Sequence, residues 1–506
     1  MRSFKNLSIL FIAAAVISCK KGNSVQADAK SQTTDASTTS TSLSATVTNP
    51  IIVYTTLADG SKKLLKEANI NYNTTITTNP VITVTTDASH QYQTMDGIGL
   101  ALTGSAAYTL KTSIPSATNR ATLFTELFTT SGINLNVLRI TIGCSDFSTT
   151  PYTYDDMPAG QTNGSLSNFN LLVQDDVNYV IPILKEILAI NPNIYIIATP
   201  WSPPAWMKRS GTLNGTSSSL ADSTQNGILT GYYSVYAKYL VKYLQGMEAQ
   251  GIHINAITPQ NEPRTLSSNY PTTYLGPSSE ASFVTTYLKP EIDNAGLSTK
   301  ILCGDNNWSG SSYHTSFMQN GNARAAVAGT AYHGYGGTPD VMTTMHNLYP
   351  TKEVHYTEFS GNVNDSFSSV LASMAANDIC ESAGNWAQTI VDWNLALDGS
   401  SLPNIKGSSS SRPVMVITSA GAITRNADYY VLGHAAKTMR VGAKRINTTD
   451  ITSSSISNVG FINPDGWKTL VVTNTGTTAK AVDVKLGTQK FTYTIAAKAV
   501  NTFNWQ

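Results

Sequence analysis

Between Tyr92 and Arg425 the chain repeats one kind of unit, a short apolar run followed by a stretch long enough for an amphipathic helix. The runs are MDGIGLAL, LNVLRITIG, IYIIATP, INAITPQNEP, KILCGD, AGTAYHGY, EVHYTEFSG and TIVDWNLAL. Stretches such as VNYVIPILKEILAI and YYSVYAKYLVKYLQGMEAQG lie between them and carry apolar residues at helical spacing. A strand inside a parallel sheet is covered on both faces, so it reads as a continuous apolar run, and its crossover needs a helix. Eight such units over about 330 residues fit an α/β fold of the closed (β/α)8 TIM-barrel type with loop insertions. The competing open, doubly wound sheet is expected to carry a Gly-rich phosphate turn after its first strand. MDGIGLALTG lacks the GxGxxG spacing.

Outside this span the period changes to two. IIVYTT and VITVTT near the start alternate apolar and β-branched residues, with a turn at Asp59-Gly60. KTLVVTNTG, AVDVKLG and FTYTIAAKAVNTF do the same near the end. Two β-rich ends around a different middle predict one appended β-sandwich built from both. The expected division is sandwich strands over 49–88, a barrel over 89–430 and the rest of the sandwich over 431–506.

The first residues read as an export signal. Arg2 and Lys5 precede an apolar run from Leu7 to Ile17, too short to cross a bilayer as a helix. Val16-Ile17-Ser18-Cys19 resembles the lipobox of bacterial lipoproteins, which implies acylation of Cys19 after removal of a signal over 1–19. Ordinary cleavage near Ser18 beside an incidental cysteine is the alternative. Residues 20–48 are Ser, Thr, Ala, Asp and Gln with almost nothing to bury, the composition of a flexible tether. The expected location is therefore outside the cytoplasm, lipid-anchored to the cell envelope at the outer membrane or cell surface, with Cys19 the sole membrane contact. Lys plus Arg number 33 against 32 for Asp plus Glu, and no basic cluster marks a nucleic-acid partner. Cys144, Cys303 and Cys380 have no CxxC spacing and read as buried free thiols.

In a TIM barrel the residues just past the C-terminal strand ends line the active site. Here those ends bring Arg139, Asp146, Trp201, Asn261-Glu262, His333, Tyr335, Glu358 and Trp393-Asn394. Aromatic faces stack on the apolar faces of a sugar ring, while acids and amides pair with its hydroxyls. No metal-ligand spacing, GxSxG or P-loop occurs, so metal-dependent, esterase and nucleotide chemistry have no support and no cofactor is expected. Glu262 precedes Pro263, which fixes the turn after the carboxylate. Glu358 ends a strand three units later. A lone strand-end glutamate is usually an ion-pair partner. A pair facing each other across the barrel mouth is what glycosidic cleavage needs, one to donate a proton and one to attack the anomeric carbon.

MDGIGLALTGSAA, LRITIGCSDFS with YTYDD, TPWSPPAWMK, TPQNEP, HGYGG, HYTEFSG, WNLAL and YYVLGHAAKTMRVGAKRI together resemble glycoside hydrolase family 30 over about Tyr92 to Ile446. That family holds lysosomal acid β-glucosidase and microbial endo-β-1,6-glucanases. The resemblance implies a retaining β-glycosidase with Glu262 as general acid/base and Glu358 as nucleophile. It implies Asn261 bonding the sugar 2-hydroxyl, and Asp146, Trp201 and Trp393 lining the subsite of the non-reducing sugar. His333 and Tyr335 would sit beside the nucleophile, and Arg139 would lie beneath the two carboxylates. β-1,6-Glucan is the expected substrate, glucosylceramide the alternative. A non-catalytic carbohydrate-binding surface lipoprotein is the reading of another class, and binding alone does not need an acid/base pair.

Overall fold

Eight parallel strands close on themselves. They are β1 (Gly97–Leu102), β2 (Val137–Ile142), β3 (Tyr195–Pro200), β4 (Ala256–Ile257), β5 (Lys300–Asn307), β6 (Gly329–His333), β7 (Glu353–Phe359) and β8 (Thr389–Asp392). Each neighbours the next, and β8 returns to β1 with Val391 opposite Gly99. Seven fall inside the apolar runs read from sequence, and β5 extends two residues past the run KILCGD, to Asn307. The computed structural model describes residues 50–506. The expected signal, tether and Cys19 lie outside the described residues.

Alternation along the strands sets the barrel's inner layers. Val137, Ile197, Ala256, Leu302, Ala331 and Val391 form one buried apolar cluster from six strands. Two residues further along come Arg139, Thr199, Thr258, His333 and Trp393, so period two alone carries the interior from an apolar layer to a polar one.

Two strands break the period. On β5 the register with β6 shifts between Ala331 and Tyr332. There Gly304 has φ 94° and Asp305 φ 44°. A Cβ at Gly304 would lie 2.3 Å from the His314 ring, so only glycine fits. The bulge turns Asp305 inward, three residues after Leu302 rather than two. On β7 the register slips between Tyr356 and Phe359 against β8. Adjacent Thr357 and Glu358 then both reach the interior cluster, through Asp305 and Arg139 respectively.

The helical stretches cover the barrel outside. Ile181–Ile190 and Tyr233–Ala249 bury Ile183, Leu184, Tyr236 and Leu240 against it. Among the described residues no helix is long and apolar enough to cross a membrane. Cys144, Cys303 and Cys380 are buried and free.

Both ends of the described chain build the sandwich. Ile52–Thr56 pairs antiparallel with Val500–Trp505, and Val81–Thr85 pairs parallel with Lys480–Leu486. Lys444–Thr448 joins the two sheets, its first half on Ile456–Ile462 and Gln91–Thr94, its second on Val81–Thr85. Between the sheets lie Ile82, Leu470, Val472, Phe491, Phe503 and Trp505. His434, in helix Ala427–Ala436, ties this unit to the barrel side through the Thr502 and Thr56 hydroxyls at 2.9 and 2.8 Å. Burial pushes its pKa down to about 3, so it bridges them as a neutral ring.

Candidate active site

The site is assembled on a buried charge network at the C-terminal end of the barrel. Arg139, side chain 0% exposed, donates from Nη1 to Glu358 Oε2 at 2.5 Å and from Nη2 to Asn261 Oδ1 at 2.7 Å and Asp305 Oδ2 at 2.9 Å. Asp305 also accepts from the Thr258 and Thr357 hydroxyls at 2.9 and 2.7 Å. His333 lies between the acids, its Nε2 3.1 Å from Asp305 and its Nδ1 3.1 Å from Glu262 and 3.8 Å from Glu358. Arg139 therefore holds one catalytic candidate directly and reaches the other only through Asp305 and His333.

Glu262 sits in a tight turn rather than on a strand, with φ 40°. The left-handed region costs a non-glycine residue about 1–2 kcal/mol, so something must hold it there. Its N–H donates to Asp305 O at 2.9 Å, its carbonyl accepts from Thr265 N at 2.8 Å, and Asn261 N donates to Pro200 O at 2.9 Å. Gln260 clamps the same turn through Trp201 O at 2.8 Å. The strain aims the carboxyl across the barrel mouth.

Asp146, Glu262, Tyr335, Glu358, Trp393 and Lys406 line one cavity of about 490 Å³. Trp201 stacks on Trp393, with centroids 5.4 Å apart at 25°. The Arg139 guanidinium carbon lies 5.3 and 5.5 Å from the two ring centres, so the indoles also brace the cation. With Asn261 Oδ1 committed to Arg139, its amide nitrogen remains as a donor. Burial, then the charges of Glu358 and Glu262, hold the Tyr335 phenol well above the usual range, so it acts as a donor. Asp146, Glu262, Tyr335, Glu358 and Trp393 of the expected site line this cavity, with Arg139, Trp201, Asn261 and His333 in contact with them behind it.

Two cations, Arg139 and His333, face three carboxyls, so one carboxyl can keep a proton with the cluster still neutral. Burial opposes charge on His333, but Glu358 and Asp305 outweigh it and raise its pKa to about 10. Asp305 is pushed up by burial yet held far below the usual carboxylate range by Arg139 and His333. Burial also pushes Glu262 up, and the His333 hydrogen bond and charge bring it below its ordinary value. Burial raises Glu358 beyond what His333 and Arg139 offset, and the Glu262 charge adds to the rise. The two glutamates titrate as a pair.

One ligand atom each from Glu262, His333 and Glu358 fall within 4.8 Å of one another, a spacing a cation could also use. Both His333 nitrogens are engaged by carboxylates, and the Arg139 guanidinium already supplies fixed positive charge. The donor set suits proton transfer.

The glycosyl hydrolase family 30 TIM-barrel domain matches residues 95–439, and the family 30 beta sandwich domain matches residues 442–503. The chain belongs to glycosyl hydrolase family 30. It is a glycoside hydrolase. An endo-1,6-beta-D-glucanase of Neurospora crassa is 33% identical over 433 residues, 83% of this chain and 87% of the relative. A solved endo-beta1,6-glucanase superposes with TM-score 0.80 at 34% identity, covering 90% of this chain and 99% of that one. The lysosomal acid glucosylceramidase of Mus musculus is 26% identical over 427 residues, 77% of each chain.

Two participants are missing from the sequence reading. Asp305 closes the run KILCGD, and its strand-end position was the available signal, but the bulge that turns it inward has no period-two signature. Lys406 comes from an irregular segment far along the chain, and nothing local marks it.

Proposed function

We propose that the protein is a retaining endo-β-1,6-glucanase, with Glu358 as nucleophile and Glu262 as general acid/base. The observation that carries the mechanism is the short separation of the two carboxyls, whose nearest oxygens lie within 4.8 Å. Retaining pairs stand roughly 5–5.5 Å apart, whereas an inverting pair needs about 6.5–9.5 Å to admit a water. Arg139 compensates the Glu358 charge without being able to give up a proton, which suits a group that must attack as an anion. A glycosidic oxygen lodged against Glu262 stabilises its protonated form, and positive charge developing at the anomeric carbon stabilises an ionised Glu358. Bound substrate thus favours the shared proton on Glu262 and the charge on Glu358.

The polar rim supports a polysaccharide over a lipid. Ser360, Asn362, Asp365, Ser409 and Ser411 border the cavity and present hydroxyls, an amide and an acid. Those groups pair with sugar hydroxyls, whereas ceramide chains would desolvate them without replacement. Together with the β-1,6-specific names of the relatives, this favours β-1,6-glucan. Incubation with pustulan is expected to release gluco-oligosaccharides, with little release from β-1,3- or β-1,4-glucan. Glucose from glucosylceramide and none from pustulan would overturn the substrate assignment.

The lipobox-like Cys19 supports anchoring at the cell envelope, where a tethered enzyme meets polymer in the medium. Full-length protein is expected to partition into detergent, and Cys19→Ala to move into the aqueous fraction. Equal partitioning of the two forms removes the anchor.

A further inference from the structure

Asp146 does not face the cavity as a bare carboxylate. Its Oδ2 accepts from Lys406 Nζ at 2.7 Å. Lys406 belongs to the irregular segment between Ala396–Leu397 and Ser411–Arg412, yet that segment is pinned. Ile405 N donates to Asp146 O at 3.0 Å, Leu402 N to Asp398 Oδ1 at 2.8 Å, and Ser401 Oγ to Ser411 O at 2.7 Å. The ammonium also lies 5.0 Å from the Phe147 ring centre and 5.3 Å from that of Tyr270. A lysine held by a carboxylate, two rings and a fixed neighbouring peptide is a built part of the cavity wall.

The chemistry of the pair differs from that of an acid alone. A carboxylate only accepts, so it can hold two free hydroxyls of a terminal sugar but has nothing to offer an ether oxygen. An ammonium only donates, and an ether oxygen can accept from it. With Oδ2 committed to Lys406, Asp146 retains capacity for a hydroxyl while Lys406 presents donors beside it. In a β-1,6-linked chain each internal glucose has a free 4-hydroxyl next to a 6-oxygen that carries no proton. The pair matches that combination.

We propose that Lys406 is a specificity-determining residue that donates to the substituted 6-oxygen of the glucose next to the scissile bond, admitting internal units of a β-1,6-linked chain. The inference rests on the β-1,6-glucanase reading above.

The test compares two substrates with the same leaving group, 4-nitrophenyl β-gentiobioside and 4-nitrophenyl β-glucoside. Release of nitrophenol places a 6-substituted glucose beside Glu358 in the first and an unsubstituted one in the second. Lys406→Met is expected to lower the ratio of kcat/KM for gentiobioside over glucoside by about tenfold, the scale of one charge-assisted hydrogen bond. Lys406→Arg, which keeps a donor, should hold the ratio near that of the wild type. A ratio unchanged in Lys406→Met, or lowered equally in both variants, overturns the proposal. Because each ratio is internal to one protein, a general loss of activity or folding leaves it unmoved. Failure of the wild type to cut pustulan would instead strike the underlying reading, before any variant is made.

Discussion

Glu358→Ala is expected to abolish turnover of every glycoside, by on the order of 10⁵–10⁶-fold, the scale seen when a covalent nucleophile is removed. Retention by double displacement needs an anion behind the anomeric carbon, and the cavity offers no substitute there. Glu262 is turned toward His333 on the other wall, and Asp305 lies deeper, engaged by Arg139, His333 and two threonines. The variant should fold, because Arg139 keeps Asp305 as a buried partner after Glu358 is lost. The truncated side chain leaves room for a small anion beside the Arg139 guanidinium. Azide is therefore expected to restore part of the activity on an activated aryl β-glycoside and to give the α-glycosyl azide. Recovery of the β-azide from this variant would mean that Glu358 is the acid/base.

The eight barrel strands were legible because burial on both faces writes itself into the chain as apolar runs, and the sandwich because its strands alternate. Arg139, His333 and Trp393 were legible for a related reason. They follow Val137, Ala331 and Val391 by two, so strand period alone places them in the polar layer above the apolar one. Asp305 and the inward reach of both Thr357 and Glu358 depend on register slips in β5 and β7. A slip is decided by pairing between strands distant in sequence, and Gly304 is its only local trace. Lys406 was hidden for a different reason. Its position depends on a hydrogen bond from Ile405 to Asp146, made between segments far apart in the chain.

Glu262→Ala is expected to lower pustulan cleavage by about 10²–10⁴-fold, the usual contribution of a positioned general acid. Aryl glycosides whose leaving groups depart without a proton should still glycosylate Glu358, so the first step survives for them while the second slows. Azide then attacks the glycosyl-enzyme from the face that water would have used and gives the β-glycosyl azide, with configuration retained. The pH profile carries a further mark. In the wild type the acidic limb of kcat/KM reports ionisation of the nucleophile and the alkaline limb reports loss of the acid's proton. The two carboxyls repel each other when both are charged, and the Glu262 charge is among the causes that raise Glu358. Removing Glu262 takes away that charge, so the acidic limb should move to lower pH. The alkaline limb should vanish for the aryl substrate, because no acid remains to titrate and the Glu358 and Asp305 charges still hold His333 above its ordinary range. An alkaline limb that persists unchanged in Glu262→Ala would assign the proton to another group, and the acid/base role with it.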